Sequence, residues 1–267
     1  MAIGELGDVA ASNSGLATGD KPGIALRCLT QGLANKGIRK ARSERMVERR
    51  KTVESIGIIK EAMREFYGKP PTTRQIWQDL RSGSLTRQAR EFLWKAIHGV
   101  HKTGAYFKNM KQPWSDYATC PACGVEESLE HILLDCPQSG QQDVWVLVDD
   151  FLAKMGLQVD VTYGLILGCA SVRVRDRFTD RILRLERIFK IVVSESAFLI
   201  WKIRCEARME HGGDPEWHLP KDAIAERWWK VIRRRKHQDI ASVDKVRYGK
   251  KAKPKGEIYE TWRDPLD

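Results

Sequence analysis

The sequence predicts a mainly α-helical fold organised around a small CCHC module with a short knuckle or hairpin, and three observations predict it. Over residues 85–100 the apolar side chains Leu85, Ala89, Phe92, Leu93, Ala96, Ile97 and Val100 recur at i, i+3, i+4, the spacing that lines one face of a helix. The same period returns within 175–211 through Ile182, Leu185, Ile188, Phe189, Val192, Phe198, Leu199, Trp201 and Ile203. Third, the string CPACGVEESLEHILLDC at 120–136 holds three of the six cysteines and one of the six histidines, spaced C-x2-C-x7-H-x4-C.

The elements follow in order. Residues 1–22 are small, polar and Gly-rich, and 1–33 as a whole reads as a disordered N-terminus or a remnant of something upstream. The string KGIRKARSERMVERRK at 36–51 carries eight basic residues against two acids, which fits a solvated helix or a nuclear-import or phosphate-binding segment. A second helix is expected over 53–66, stopped by Gly68-Lys69-Pro70-Pro71. Thr72 or Thr73 caps a short helix running to Leu80, and SGS at 82–84 punctuates before the long apolar-faced helix. Beyond the cysteine string, 145–155 reads as a helix, YGLILGCA at 163–170 has no decisive period, and 175–211 reads as one long or two broken helices ended by GGDP at 212–215. A last helix near 222–234 runs into KVRYGKKAKPKGE, which is aperiodic and predicts a mobile tail. The expected organisation is therefore a 1–33 N-terminus, a 34–112 basic helical region, a 113–147 CCHC module, a 148–244 helical region and a 245–267 basic mobile tail.

Length and charge narrow the function. A chain of 267 residues, 42% hydrophobic, buries a sizeable core without disulfide staples. The opening MAIGELGDVA has neither a basic stretch nor an apolar run of the secretory kind, so an intracellular location, nuclear or cytoplasmic, is expected. The most apolar stretch, 191–201, is interrupted by Ser194, Glu195 and Ser196 and falls short of the roughly 20 residues that span a bilayer; no membrane partner is expected. The net charge of +11 points to a polyanion, RNA and/or DNA, against the plainer alternative of a solubilising surface excess. Two regions concentrate the charge: 81–111 has seven basic residues against Glu91, and 227–255 has twelve against Asp239 and Asp244. Arg87, Arg90, Lys95, Lys102, Arg233, Arg234 and Arg235 are the candidate nucleic-acid contacts. Trp114, Trp228 and Trp229 are candidates to stack on bases, although Trp at helical spacing is more often core.

A thiol pair at C-x2-C in a Pro- and Gly-containing turn is the usual half of a structural Zn2+ site, and the ion takes four tetrahedral ligands. Cys120, Cys123, His131 and Cys136 supply that number. Ser128 is placed to cap a short helix with His131 in its first turn, and Cys136-Pro137 ends it. With all four positions filled by protein, the predicted site is closed, which argues for a structural ion and against catalysis. A redox CxxC is the alternative, but it calls for a strand-to-helix context that this sequence lacks. Glu126, Glu127, Glu130 and Asp135 make the module acidic, so phosphate contacts are expected from the flanking basic regions. Cys28, Cys169 and Cys205 have no ligand partners nearby in sequence.

FLWKAIHGVHKTGAYFKNM, then CPACGVEESLEHILLDCP, then Trp145 together resemble the reverse-transcriptase zinc-binding domain at the C-terminal end of LINE-type (non-LTR) retrotransposon polyproteins. YGLILGCA and LRLERIFKIVVSESAFLIWKIRCEARM resemble the fungal versions, in which this domain follows RNase H; the likeness spans about residues 25–210. The gap of seven residues before the histidine differs from the four of retroviral zinc knuckles. The resemblance implies a zinc-binding, non-catalytic helical module, with reverse transcriptase and RNase H domains on the same chain in the parent element. No carboxylate constellation for two-metal chemistry precedes the match, so RNase H or reverse transcriptase activity is expected only of a longer parent protein. A zinc-stapled structural or protein-interaction module without nucleic-acid binding is the alternative.

Overall fold

The computed structural model describes residues 28–45, 47–175 and 181–263. Most of the segment expected to be a disordered N-terminus, 1–27, lies outside the described residues, as do 264–267. The chain divides into two compact units, Met1–Arg49 and Arg50–Asp267. The first contributes helix α1 (Gln31–Arg45), which begins inside the segment assigned to the remnant N-terminus.

The second unit is helical, and its described residues form no β-sheet; their only β-pairings are the isolated bridges Thr119–Glu126 and Arg175–Arg181. Helix α2 (Arg50–Tyr67) buries Ile56, Ile59, Ala62 and Met63 along one face. In α3 (Thr73–Asp79) the cap falls on Thr72: its hydroxyl accepts from the Gln75 N–H at 3.2 Å while the Gln75 side chain accepts from the Thr72 N–H at 2.8 Å, a reciprocal capping box. Thr86 caps α4 (Arg87–Ile97) through its hydroxyl alone, accepting from the Ala89 N–H at 3.2 Å. The buried face of α4 is Ala89, Phe92, Leu93, Ala96 and Ile97, as the spacing predicts, with Leu85 buried just ahead of the helix, but Val100 lies beyond its end and is exposed. The helix stops at His98, so His101 and Lys102 lie on a turn leading to the single-turn helix α5 (Gly104–Phe107).

Helix α6 (Gln141–Lys154) packs on both α8 and α9. The stretch without a decisive period is helical: α7 (Tyr163–Leu167), capped by Thr162, followed by a 3-10 turn at Cys169–Ser171. It is buried from Gly164 through Ser171 against α2, α3, α4 and α8, and burial on every side removes the apolar-polar alternation that reveals a helix.

Helix α8 (Leu183–Met209) is unbroken and forms the axis of the core. Ile188, Phe189, Ile191, Val192, Val193, Ala197 and Ile200 are all fully buried. The polar trio at 194–196 is buried too, each member bonded: Ser194 to the Ile191 carbonyl, Glu195 as acceptor from Thr86 at 2.8 Å, Ser196 as acceptor from the Trp228 indole at 2.8 Å. Among the described residues no helix is long and apolar enough to cross a membrane. Helix α9 (Lys221–Ala241) lies beside α6 and α8 and buries Ile224, Trp228 and Ile232.

The expectation of a mobile tail from residue 245 is corrected. The described part folds as α10 (Lys245–Tyr248), a 3-10 turn and α11 (Lys255–Thr261), and Ile258, Thr261 and Trp262 are buried against the body. Each element is at most two turns long, too short for a hydrophobic period to show in the sequence. Their anchor is polar: Asp239, with no exposed surface, accepts from Arg187 at 2.6 Å, Arg235 at 2.5 Å, Lys253 at 3.0 Å and the Trp262 indole at 3.0 Å.

Candidate metal centre

Two backbone pieces bring the four sequence-predicted donors together. In the first, the Cys120 carbonyl accepts from Gly124 at 2.9 Å and the Cys120 N–H donates to Val125 at 2.8 Å, folding a turn that the Thr119–Glu126 bridge closes into a hairpin. Gly124 turns the chain at a φ of 71°, a left-handed conformation that glycine takes without steric cost. In the second piece, Ser128 accepts from the His131 N–H at 3.0 Å, the cap expected from the sequence. The turn then widens over His131–Asp135 into a π-helical one, closed by the Cys136 N–H donating to the His131 carbonyl at 2.8 Å. This i to i+5 closure returns Cys136 to the histidine.

The surroundings hold both pieces. The Trp145 indole donates to the Leu133 carbonyl at 2.7 Å, and the Ser139 hydroxyl sits 2.7 Å from the carbonyls of Ile132 and Cys136. Gly104 lies directly on the hairpin, its N–H donating to the Glu127 carbonyl at 2.7 Å. A Cβ at Gly104 would come within 2.3 Å of the Ala118 carbonyl oxygen and 2.8 Å of the Glu127 nitrogen. Arg204 and Arg208 of α8 grip the module from the other side. Arg204 pairs with buried Glu127, and Arg208 reaches the carbonyls of Asp116 and Thr119 and lies over the Tyr117 ring at 4.8 Å.

The donor atoms of Cys120, Cys123, His131 and Cys136 lie within 4.8 Å of one another. The Cys120–Cys136 and Cys123–Cys136 sulfur separations are 3.7 Å and 4.0 Å. An ion about 2.3 Å from each sulfur in tetrahedral geometry sets the sulfurs about 3.8 Å apart, whereas a disulfide sets them about 2.05 Å apart. His131 is buried, and its Nε2 has no hydrogen-bond partner. A buried ring nitrogen without a partner is costly in a folded protein, and an ion among the three sulfurs removes the cost. The Cys120 thiol is held well below its ordinary range, chiefly by the hydrogen bond from Cys136, and Cys136 is pushed up by the same contact. Burial and the neighbouring Cys120 push Cys123 up as well. Three sulfurs this close cannot all ionise until a cation offsets their charge. The residues present therefore fit a metal ion. Cys169, fully buried, has its thiol pushed up to about 12 by burial, and belongs to the core.

The predicted nucleic-acid contacts divide. Arg87 and Lys102 on the α4 side, and Arg233 and Arg234 on α9, are exposed. Lys95 is half-buried and paired with Glu91 at 2.8 Å, and Arg90 turns back to the Leu85 carbonyl at 3.3 Å. Arg235 is corrected: it is buried, bonded to Asp239 and to the Ser84 carbonyl at 2.8 Å, and is a packing residue of the core. Trp228 is likewise core and Trp114 is exposed. Sequence reasoning missed the Glu127–Arg204 pair, Arg208 and Gly104. The first joins residues 77 positions apart, beyond any local pattern, whereas the Gly in KTGAY was open to a close-approach reading.

No protein-family model matches the chain, and neither a curated protein nor a solved structure does.

Proposed function

We propose that this chain is a non-catalytic, zinc-stabilised nucleic-acid-binding module, derived from the C-terminal part of a LINE-type retrotransposon reverse transcriptase. The observation that carries the zinc is the unpartnered, buried Nε2 of His131 among three sulfurs at tetrahedral spacing. Three thiolates and one imidazole favour Zn2+ over harder ions, and four protein donors leave no coordination position for water or substrate. The ion supplies charge compensation and a cross-link between the hairpin and the π turn. The protein's own groups do the rest: Ser128 caps the turn, Trp145 holds its carbonyl, and Arg204 neutralises Glu127 beneath it.

Nucleic acid, RNA and/or DNA, is favoured by the net charge of +11 and by exposed Arg87, Lys102, Arg233 and Arg234. RNase H or reverse transcriptase chemistry belongs, on this reading, to a longer parent protein, and the place of action is intracellular, nuclear or cytoplasmic. A second reading, a zinc-stapled structural or interaction module, is favoured by one observation: Arg235, Lys95 and Arg90 are already engaged within the fold. Elemental analysis of protein purified without added metal tests the first part, with one zinc per chain expected and a value near zero overturning it. Binding of labelled RNA and DNA at low and high salt separates the two readings: affinity that falls steeply with salt is expected of the first, and no binding at low salt of the second.

A further inference from the structure

Two concavities flank helix α8, and their chemistries are complementary. Between α4 and α8 lies a cavity of about 530 Å³ with an aromatic side formed by His101, Phe198 and Trp201 over buried Phe92, and a polar side that includes Glu91 and Lys95. Their rings are mutually tilted, with centroids 5.7 Å apart for Phe92–Phe198 and 4.5 Å for His101–Trp201. His101 is half-buried, bonded through Nε2 to the Phe92 carbonyl at 3.0 Å, and its burial lowers the pKa; Lys95 and Glu91 offset one another at 2.8 Å. Exposed Lys102 stands at the rim. Beside it, between α8 and α9, a groove of about 340 Å³ is lined by Lys202, Arg227, Lys230 and Arg234 against the single acid Glu206. Arg227 is paired with Glu206 at 2.5 Å. Among the described residues Lys202, Lys230 and Arg234 have no carboxylate partner. Burial and the charges of Arg234 and Arg227 lower the pKa of Lys202 against the opposing pull of Glu195; cations gathered in this way repel one another, and an anion that joins them relieves the repulsion. The two concavities are neighbours, the Lys202 Nζ of the groove lying 5.2 Å from the centre of the Phe198 ring of the cavity.

We propose that these form one site for a single-stranded nucleic acid, an unpaired base entering the aromatic cavity while the adjoining phosphates lie in the Lys202–Lys230–Arg234 groove. The inference rests on the nucleic-acid reading above and narrows it to one strand form and one place. An aromatic slot beside a cationic track is how sequence-tolerant single-strand binders work, since every base has a π face. A duplex keeps its bases stacked and must unpair one to fill the slot. Phosphate alone does not account for the aromatic cavity, and a hydrophobic ligand does not account for the groove. The metal module supports the wall: Arg204, paired to Glu127, lies over the Trp201 ring at 5.2 Å, and the turn bearing His101 and Lys102 leads directly into Gly104 on the hairpin.

The test uses the full zinc-loaded chain and fluorescence anisotropy with a short labelled oligonucleotide offered as single strand, as duplex, and as the same single strand with abasic sites. The intact single strand is expected to bind at least tenfold tighter than the duplex or the abasic strand. Phe198→Ala should lose about tenfold on the intact strand and little on the abasic one. Lys230→Glu with Arg234→Glu should weaken both strands and flatten the salt dependence. Circular dichroism and zinc content confirm folding of each variant, and the abasic comparison on the unaltered protein needs no variant. If the abasic strand or the duplex binds as tightly as the intact strand, the base site is wrong although nucleic-acid binding stands. If a glutamate- and tyrosine-rich polypeptide binds as tightly, the groove belongs to an acidic protein and the inference is overturned. If no nucleic acid binds at low salt, the inference and the reading beneath it fall together.

Discussion

At the scale of single residues, the candidate centre depends on groups beyond its four donors. Cys123→Ser removes one thiolate and should abolish zinc binding, whereas Cys28→Ser, outside the cluster, should leave metal content unchanged; elemental analysis of the two variants checks both. Glu127 is a less obvious position. It is buried at 3% exposure against Arg204, itself buried, so Glu127→Gln leaves a buried guanidinium without its counter-charge and should cost about 3–5 kcal/mol. Urea unfolding measures it, and a loss below about 1 kcal/mol would show that the pair is as weak as an exposed one. Reversing Glu127 to Lys as a probe of the module's acidity would therefore report on folding. Gly104→Ala tests a different force, since its Cβ would meet backbone oxygen and nitrogen that have no side-chain freedom to yield. The hairpin and α5 should separate, with weaker zinc retention under chelator challenge than in the parent chain.

At the scale of elements, the sequence is legible where a helix has one buried face or a marked end. The buried part of the α4 face, the cap at Thr72, one of the two threonines offered by the sequence, and the Ser128 turn appear where spacing and capping chemistry place them, because these depend on residues three or four apart. The four donors are legible because all of them fall within seventeen residues at the spacing C-x2-C-x7-H-x4-C. Residues 163–170 are not, being buried on all sides, and neither is the final segment, whose helices are too short to show a period. Charge is the least legible property. Arg233, Arg234 and Arg235 are equivalent in the sequence, yet α9 turns two outward and the third into the Asp239 cluster. Helix geometry requires this split, since successive residues are about 100° apart. It sets a prediction: Arg235→Glu should unfold or strongly destabilise the chain, while Arg234→Glu should keep the helix content and the melting temperature and change only anion binding. Thermal melts followed by circular dichroism distinguish them, and equal destabilisation by the two would contradict the assignment of Arg235 to the core.

At the scale of the unit from Arg50 onward, Asp239 is the point through which distant parts are tied. Its carboxylate joins Arg187 of α8, Arg235 of α9, Lys253 and Trp262 of the C-terminal segment, while Arg235 and Lys253 also bond the carbonyls of Ser84 and Gly83 ahead of α4. Burial by itself raises the Asp239 pKa, but the charges of Arg235, Arg187 and Lys253 outweigh it and hold the carboxyl below its ordinary range. A carboxylate with a depressed folded pKa contributes stability that is fully present above its unfolded pKa, about 3.9, and is lost as pH falls through the folded value. Asp239→Asn keeps the shape but removes the carboxylate that Arg187, Arg235 and Lys253 share, leaving only the half-exposed Glu257, 3.1 Å from Arg187, as counter-charge, so it should cost about 3–5 kcal/mol at neutral pH. The sign of the pH effect follows from the same linkage. The stability gap between the parent chain and Asp239→Asn should be constant from neutral pH down to about 5, then narrow in more acid solution as Asp239 in the parent takes up its proton. Urea titrations of both proteins across that range measure the gap. A gap that stays constant into strong acid, or one that is small throughout, would mean that the buried carboxylate does not hold the C-terminal segment to the core.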